Sequence, residues 1–260
     1  MSKYEQDILS TVNLHGRISV MELARILNVS DQTVRRIVKP MVAKGSLSKV
    51  HGALVSTQNV LDPPFLARMA QNRAAKVAIA DAVAARIPDG SAIAIDTGST
   101  SGFIAQALRA RKNLTVVTNS AFIAATLSME EGNRVFMAGT QLRNHDGAAF
   151  DRVAYDVIAG FSARTAILSA SLVHPSKGFM VYDQCEADMA RAMSDIADQT
   201  FMAVDSTKFN EAQTSPALRL PGLTEKDVLI TDRTLPASFQ SLPADAELVI
   251  AGVKSQEDSH

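Results

Sequence analysis

Residues 17–54 read RISVMELARILNVSDQTVRRIVKPMVAKGSLSKVHGAL. Val20, Leu23, Ala24 and Leu27 carry the spacing of one helix face, and Ser19 stands where an N-cap belongs. Asn28-Val29 reads as a short turn. Ser30 then caps a second helix, DQTVRRIVKPMVAKG, which Gly45 ends. Two short helices joined by a tight turn form a helix-turn-helix. Ser30, Gln32, Thr33, Arg35 and Arg36 sit at the start of the second helix, with Lys39 one turn on. Such a helix presents that end to base edges in the major groove of double-stranded DNA. Arg can pair with guanine through two hydrogen bonds, Gln with adenine, and a Thr methyl can touch thymine. Pro40 should kink or shorten the helix, because proline removes a donor and crowds the preceding turn.

The segment after Gly45 extends this reading. Leu47–Val50 and Ala53–Val55 are short β-prone runs around His51-Gly52. They predict the hairpin of a winged helix, with Lys49 and His51 near phosphates. Charge agrees: residues 1–60 hold eight Lys/Arg and four Asp/Glu, whereas the whole chain is −1. A basic head on an acidic body directs a polyanion to the head.

Composition bounds the rest. At 260 residues, with 47% hydrophobic and 20% charged residues, the chain is long enough for a small domain and a larger one. No apolar run approaches the roughly 18–20 residues of a membrane span, and MSKYEQDILS lacks the apolar core of a signal peptide. Cys185 is the single cysteine, which forbids an internal disulfide and fits a reducing cytoplasm. A cytoplasmic protein with no membrane partner, no metal and no cofactor is expected.

Residues 57–72 read as a linker broken by Pro63-Pro64. Beyond it an alternation begins: helix RAAKVAIADAVAARI, strand SAIAID, helix FIAQALRA, strand LTVVT, helix SAFIAATLSM, strand RVFMAG. After an irregular stretch come helix RVAYDVIAGF, strand RTAILSA, helix EADMARAMSDIA and strand TFMAV, then strands DVLITD and ELVIAG. Continuous apolar strands between helices imply a mostly parallel sheet covered on both faces. The domains expected are a winged helix-turn-helix over 1–56, a linker over 57–72, a larger Rossmann-like α/β domain over 73–252 and a flexible tail over 253–260.

In such folds ligands bind at the carboxyl ends of the strands, where strand order reverses. This chain places small polar residues there. Asp96-Thr97-Gly98-Ser99-Thr100-Ser101 joins a strand directly to a helix. Glycine lets backbone approach an anion, and hydroxyls and amides at the helix start bond phosphate oxygens. Thr118-Asn119-Ser120, Gly139-Thr140-Gln141-Leu142-Arg143 and Asp205-Ser206-Thr207-Lys208 repeat the pattern. Lys208 can neutralise a phosphate, and Arg143 can clamp a phosphate or a row of hydroxyls. Asp183, Glu186 and His174 are the remaining polar candidates.

These pieces together resemble the DeoR family of bacterial transcriptional regulators. The head matches through Gly16–Ser19, Glu22-Leu23-Ala24, Val29-Ser30, Thr33–Arg36, Gly45 and His51-Gly52-Ala53. The second domain matches through DTGSTS, VVTNS, GTQLR, GFMVYDQCEADMARAM and VDSTKF, and DTGSTS also resembles the phosphate loop of ribose-5-phosphate isomerases. The resemblance covers about residues 5–252. It implies a regulator, a repressor of carbohydrate genes, that acts as a dimer or tetramer. It also implies a phosphorylated sugar as effector, and it places Glu186 near the sugar. The chain departs from the family at Ile37, where an acid is usual, and at Lys49, where Arg is usual. It departs again at Thr140 and Asp151, where Gly is usual.

Two other readings stay open on sequence alone. One is a phosphosugar isomerase or hydrolase on the same scaffold, with Asp183, Glu186 or His174 as acid and base. The other is a DNA-binding dimer that takes no ligand.

Overall fold

The computed structural model describes residues 3–15, 17–50, 53–56, 65–210, 218–243 and 245–252. The chain divides into two compact units, residues 1–71 and 72–260. His51, the first half of the segment read as a linker (57–64) and the tail 253–260 lie outside the described residues.

The first unit contains α1 (Lys3–His15), β1 (Arg17–Ser19), α2 (Val20–Ile26), α3 (Asp31–Ala43), β2 (Leu47–Val50), β3 (Ala53–Ser56) and α4 (Phe65–Ala70). Ser19 Oγ accepts from the Glu22 amide at 3.1 Å and starts α2. Asn28, at φ 52, turns the chain. Ser30 Oγ accepts from the Thr33 amide at 3.2 Å and starts α3. At the far end Gly45, at φ 72, takes the left-handed position after the C-cap Lys44. The Gly45 and Ser46 amides donate to the Val42 and Met41 carbonyls, the paired bonds of a glycine-terminated helix. The wing is antiparallel in the order β1-β3-β2. Ile8, Val12, Ile18, Leu23, Val34, Val38, Met41, Leu47 and Leu54 form the core of this unit.

Two expectations change here. The recognition helix continues past Pro40 to Ala43. Val38 and Met41 flank the proline and are buried in the core. That burial, about 1.5–3 kcal/mol per large side chain, offsets a helix-interior proline at about 3 kcal/mol. Residues 65–70, read as part of a linker, form α4, with Phe65 buried.

The second unit opens with α5 (Arg73–Arg86). Then follow β4 (Ala92–Ile95), α6 (Ser99–Leu108), β5 (Thr115–Thr118), α7 (Ala121–Ser128), β6 (Arg134–Met137), α8 (Arg152–Ala159) and β7 (Ala163–Leu168). Next are β8 (Leu172–His174), β9 (Gly178–Val181), α9 (Gln184–Asp195), β10 (Ala197–Ala203), β11 (Leu218–Arg219), β12 (Val228–Thr231) and β13 (Glu247–Ile250). Seven strands form one parallel sheet in the order β13-β12-β10-β7-β4-β5-β6. All seven were marked as apolar runs in the sequence; β4, β7, β10 and β12 carry mostly buried side chains, whereas those of the edge strands β6 and β13 are half-buried or exposed.

The order of strands fixes where a ligand belongs. From β4 the chain winds outward through β5 and β6, then returns to the other side of β4 at β7 and winds away. The loops after β4 and β7 therefore part from each other and leave a crevice, the position of ligands in open parallel sheets. A small antiparallel sheet, β11-β9-β8, takes β8 and β9 from the chain after β7 and β11 from the chain after β10, and was not foreseen.

Candidate functional site

Two sites emerge, one on each unit. On the head, Gln32, Arg35, Arg36 and Lys39 follow one face of α3 and are exposed. Val34, Val38 and Met41 on the opposite face are buried. Ser30, Gln32, Thr33, Arg35, Arg36 and Lys39 line one open cleft of about 530 Å³. Lys49 of the wing joins Arg35 and Lys39 around a second hollow of about 300 Å³ floored by Val20, Val38 and Val42. Ser30 serves the cap and also bonds the Thr33 hydroxyl at 2.8 Å, so both residues set the helix start. The result is a convex helix edged by four cations, shaped for a groove between phosphates.

These cations differ in what they can read. Arg35→Ala should cost about 1–3 kcal/mol on the preferred DNA sequence and relax base discrimination. Lys49→Ala should weaken all duplexes evenly and make the log-affinity against log-salt slope shallower by about 0.9. Anisotropy titrations of a preferred and a scrambled duplex at several salt concentrations separate the two outcomes.

On the second unit the crevice is built around Asp96. One Asp96 oxygen accepts from Ser101 Oγ on α6, and the other from the Ser169 amide after β7 at 2.9 Å. Asp96 thus bridges the two loops that part at the switch point. Burial pushes its pKa from 3.8 up to about 7, against the lowering effect of the Ser101 and Ser169 hydrogen bonds, and the charge of Glu186 adds to the rise. A raised acid pKa makes the folded state hold a proton that the unfolded chain releases. The stabilisation is complete below pH 4 and is lost as pH rises toward 7. At about 1.4 kcal/mol per unit, this is on the order of 4 kcal/mol. The stability of the native chain relative to Asp96→Asn should therefore fall between pH 4 and 7 and level off above. Urea midpoints measured across that window check it, and a difference independent of pH would contradict it.

The loop itself needs glycine. Gly98 has φ 151 and ψ 157, a region closed to residues with a side chain. A Cβ there would stand 2.6 Å from Ser169 Oγ. As N-cap of α6 it supplies no side-chain bond, so the first turn at Ser99-Thr100-Ser101 lacks a side-chain cap. Around this turn, Thr97 Oγ1, Asn119 Oδ1 and Ser120 Oγ are buried without a hydrogen-bond partner. Buried polar atoms are nearly always bonded, so three orphans at the ends of two adjacent strands call for an explanation.

The strand-end residues behave differently from one another. Asn119 Nδ2 donates to the Ala149 carbonyl at 3.1 Å, and Thr118 Oγ1 accepts from the Ser120 amide, so both also brace the turn. Gly139, at φ 99, faces Ala149 too closely for a Cβ. The Gln141 side chain is exposed. The Thr140 and Asp151 departures prove to be one unit. Asp151 Oδ2 accepts from the Thr140 amide, the Thr140 hydroxyl and the Gln141 amide at 2.8–2.9 Å. Those bonds hold its pKa well below the usual carboxylate range, and Oδ1 caps α8 through the Ala154 amide.

Arg143 is engaged by protein, not open to a phosphate. Nε and Nη2 bond Asp146, Nη2 also bonds Glu186 at 2.7 Å, and Nη1 bonds Asp183 at 2.9 Å and contacts Cys185 Sγ at 3.8 Å. All five donors of the guanidinium are thus occupied. Burial opposes its charge, but the hydrogen bonds and charges of Asp146 and Glu186 outweigh burial and raise its pKa. Cys185 lies beside this cluster with its thiol pKa raised by burial. His174 Nδ1 accepts from the Ser176 amide at 3.2 Å in the β8–β9 turn.

Lys208 stands in the loop after β10, and the next residue, Phe209, bridges Val173 of β8. Its loop leans toward the start of α5: Asn72 Nδ2 donates to Asp205 Oδ1 at 3.2 Å and to Thr207 Oγ1 at 2.9 Å, and Asp232 holds Ser206. Among the described residues no hydrogen bond or ion pair joins Lys208 to the Asp96–Ser101 loop or to the Arg143 cluster. The crevice thus gathers Asp96, Thr97, Gly98, Ser99, Thr100 and Ser101 beside Ser169. Ser169 and Asp146 were missed in the sequence. The strand-end rule applied to RTAILSA would have found Ser169.

No helix among the described residues is long and apolar enough to cross a membrane. Residues 5–60 match the DeoR-like helix-turn-helix domain, and residues 71–233 match the DeoR C terminal sensor domain. The chain is 30% identical to the HTH-type transcriptional repressor CsqR of Escherichia coli K12, over 97% of this chain and 95% of the relative. It is 29% identical to the glycerol-3-phosphate regulon repressor of the same strain, over 92% and 93% of the two chains. Against the transcriptional repressor AccR of Agrobacterium fabrum C58 it is 28% identical over 87% of each. A basic recognition helix on a winged head, a crevice at the strand-order reversal of a parallel sheet, and matches along nearly the whole length agree: the chain belongs to the DeoR family of DNA-binding transcriptional regulators.

Proposed function

We propose that the protein represses genes of carbohydrate uptake or breakdown and is released from its operator by a phosphorylated sugar bound in the switch-point crevice. The observation that carries this reading is the start of α6. An uncapped helix N-terminus, a glycine in a region closed to other residues, and orphaned Thr97, Asn119 and Ser120 oxygens converge there. Backbone amides and hydroxyls in that arrangement suit phosphate oxygens, and each charge-assisted bond contributes about 1.5–3 kcal/mol. A relative named for the glycerol-3-phosphate regulon supports a phosphorylated effector.

Control requires that the effector prefer one state of the protein. A hundredfold preference shifts the balance by about 2.7 kcal/mol. A single head of this size binds DNA weakly, so a homodimer or a larger homo-oligomer reading half-sites roughly 34–36 Å apart completes the proposal. Sensing is favoured over turnover by the Arg143 cluster. Asp183 and Glu186, the acid and base an isomerase would need, are both ion-paired to one guanidinium. The test is operator affinity by anisotropy across a panel of sugar phosphates, with product analysis on the same mixtures. An affinity that no member of the panel changes would sink the effector class. Turnover that disappears in Glu186→Ala would establish the enzyme instead.

A further inference from the structure

The crevice has two chemically opposite ends. At the Thr97–Ser101 turn, amides and hydroxyls offer donors to an anion. At the other end three carboxylates, Asp146, Asp183 and Glu186, share the single guanidinium of Arg143. His145 Nδ1 stands 3.8 Å from Asp146, and even a protonated imidazole leaves the carboxylates in excess. Arg143 has no donor left for an incoming anion. The ends are neighbours: Ser120 bridges Ala148, Asn119 Nδ2 donates to the Ala149 carbonyl, and the Arg143 amide donates to the Ala148 carbonyl, so the loop that carries Arg143 and Asp146 is tied to the strand end that carries the orphaned Asn119 and Ser120 oxygens.

Asp183 is the member of this cluster that an incoming group would meet. It is the N-cap residue of α9, yet its side chain makes no cap bond. The carboxylate turns to Arg143 Nη1 at 2.9 Å and remains 57% exposed, against 1% for Asp146 and 17% for Glu186. An exposed carboxylate accepts hydrogen bonds from hydroxyl or ammonium groups and repels another carboxylate.

Building on the proposed phosphate role of the Thr97–Ser101 turn, we infer that the effector is a phosphate monoester whose distal end carries hydroxyl or amino groups and no carboxylate. Asp183 is the residue that imposes this selection. An acid brought to this end would meet like charge with every Arg143 donor already occupied. An alcohol or amine of the same length finds acceptors in place.

Matched pairs test the inference on the full-length protein by isothermal titration. Glucose 6-phosphate is compared with 6-phosphogluconate, glycerol 3-phosphate with 3-phosphoglycerate, and glucosamine 6-phosphate serves as the cationic probe. Inorganic phosphate reports the turn alone. The expected result is that the alcohol of each pair, and the amino sugar, bind at least tenfold more tightly than the acids. Asp183→Asn should narrow the gap to threefold or less without changing the affinity for inorganic phosphate. An acid that binds as well as its matched alcohol, or a gap unchanged in Asp183→Asn, overturns the inference and leaves the phosphate reading standing. If no phosphate compound binds at all, inorganic phosphate included, both fall.

Discussion

Replacing Arg143 with Ala should destabilise the sensor domain by about 3–5 kcal/mol, the typical cost of removing one partner of a buried ion pair. The size comes from Asp146, whose side chain is 1% exposed and whose charge has Arg143 as its guanidinium partner. Burial raises the Asp146 pKa, but the Arg143 hydrogen bond and charge lower it further, so the carboxylate stays ionised as long as the arginine is present. Without Arg143, Asp146 must either hold an uncompensated charge or take up a proton. Adding Asp146→Asn to Arg143→Ala should therefore recover part of the loss. Denaturant midpoints of the two variants check both statements. Were Arg143 a ligand clamp alone, its removal would leave stability untouched and abolish only the response to effector.

Gly98→Ala should abolish the effector response while leaving operator affinity within about threefold of the native value, since the head forms a separate compact unit. The strained backbone at φ 151 and ψ 157 costs a residue with a side chain about 1–3 kcal/mol. The new Cβ also pushes on Ser169 Oγ, whose backbone amide holds Asp96. Misplacing two charge-assisted bonds of about 1.5–3 kcal/mol each weakens a ligand by a hundredfold or more. Titrating sugar phosphates into the variant bound to operator reads this directly.

The head and the sheet were legible because their signals are local. Ser19, Ser30 and Gly45 punctuate α2 and α3, and a period of 3.6 separates Val34, Val38 and Met41 from Gln32, Arg35, Arg36 and Lys39. Apolar runs bounded by polar turns gave the seven parallel strands, and their ends gave the Thr97–Ser101 turn. The helix α1 was not foreseen; Ile8 and Val12 are its buried anchors, and Leu9 packs beside them. Pro40 misled because propensity carries no information about the core packed around it. The Arg143 cluster joins residues 143, 146, 183 and 186, and only the strand order brings the loop after β6 to the start of α9. The same holds for Thr140 and Asp151, which looked like two departures from the family pattern and form one hydrogen-bonded unit.

The measurement closest to the central claim is the operator affinity of the native chain and of Gly98→Ala, with and without a saturating sugar phosphate, on a duplex selected in vitro by the protein. The ligand should weaken native binding by tenfold or more and leave the Gly98→Ala complex unchanged. An operator affinity that no sugar phosphate alters in the native protein would contradict it, as would a Gly98→Ala protein that responds like the native one.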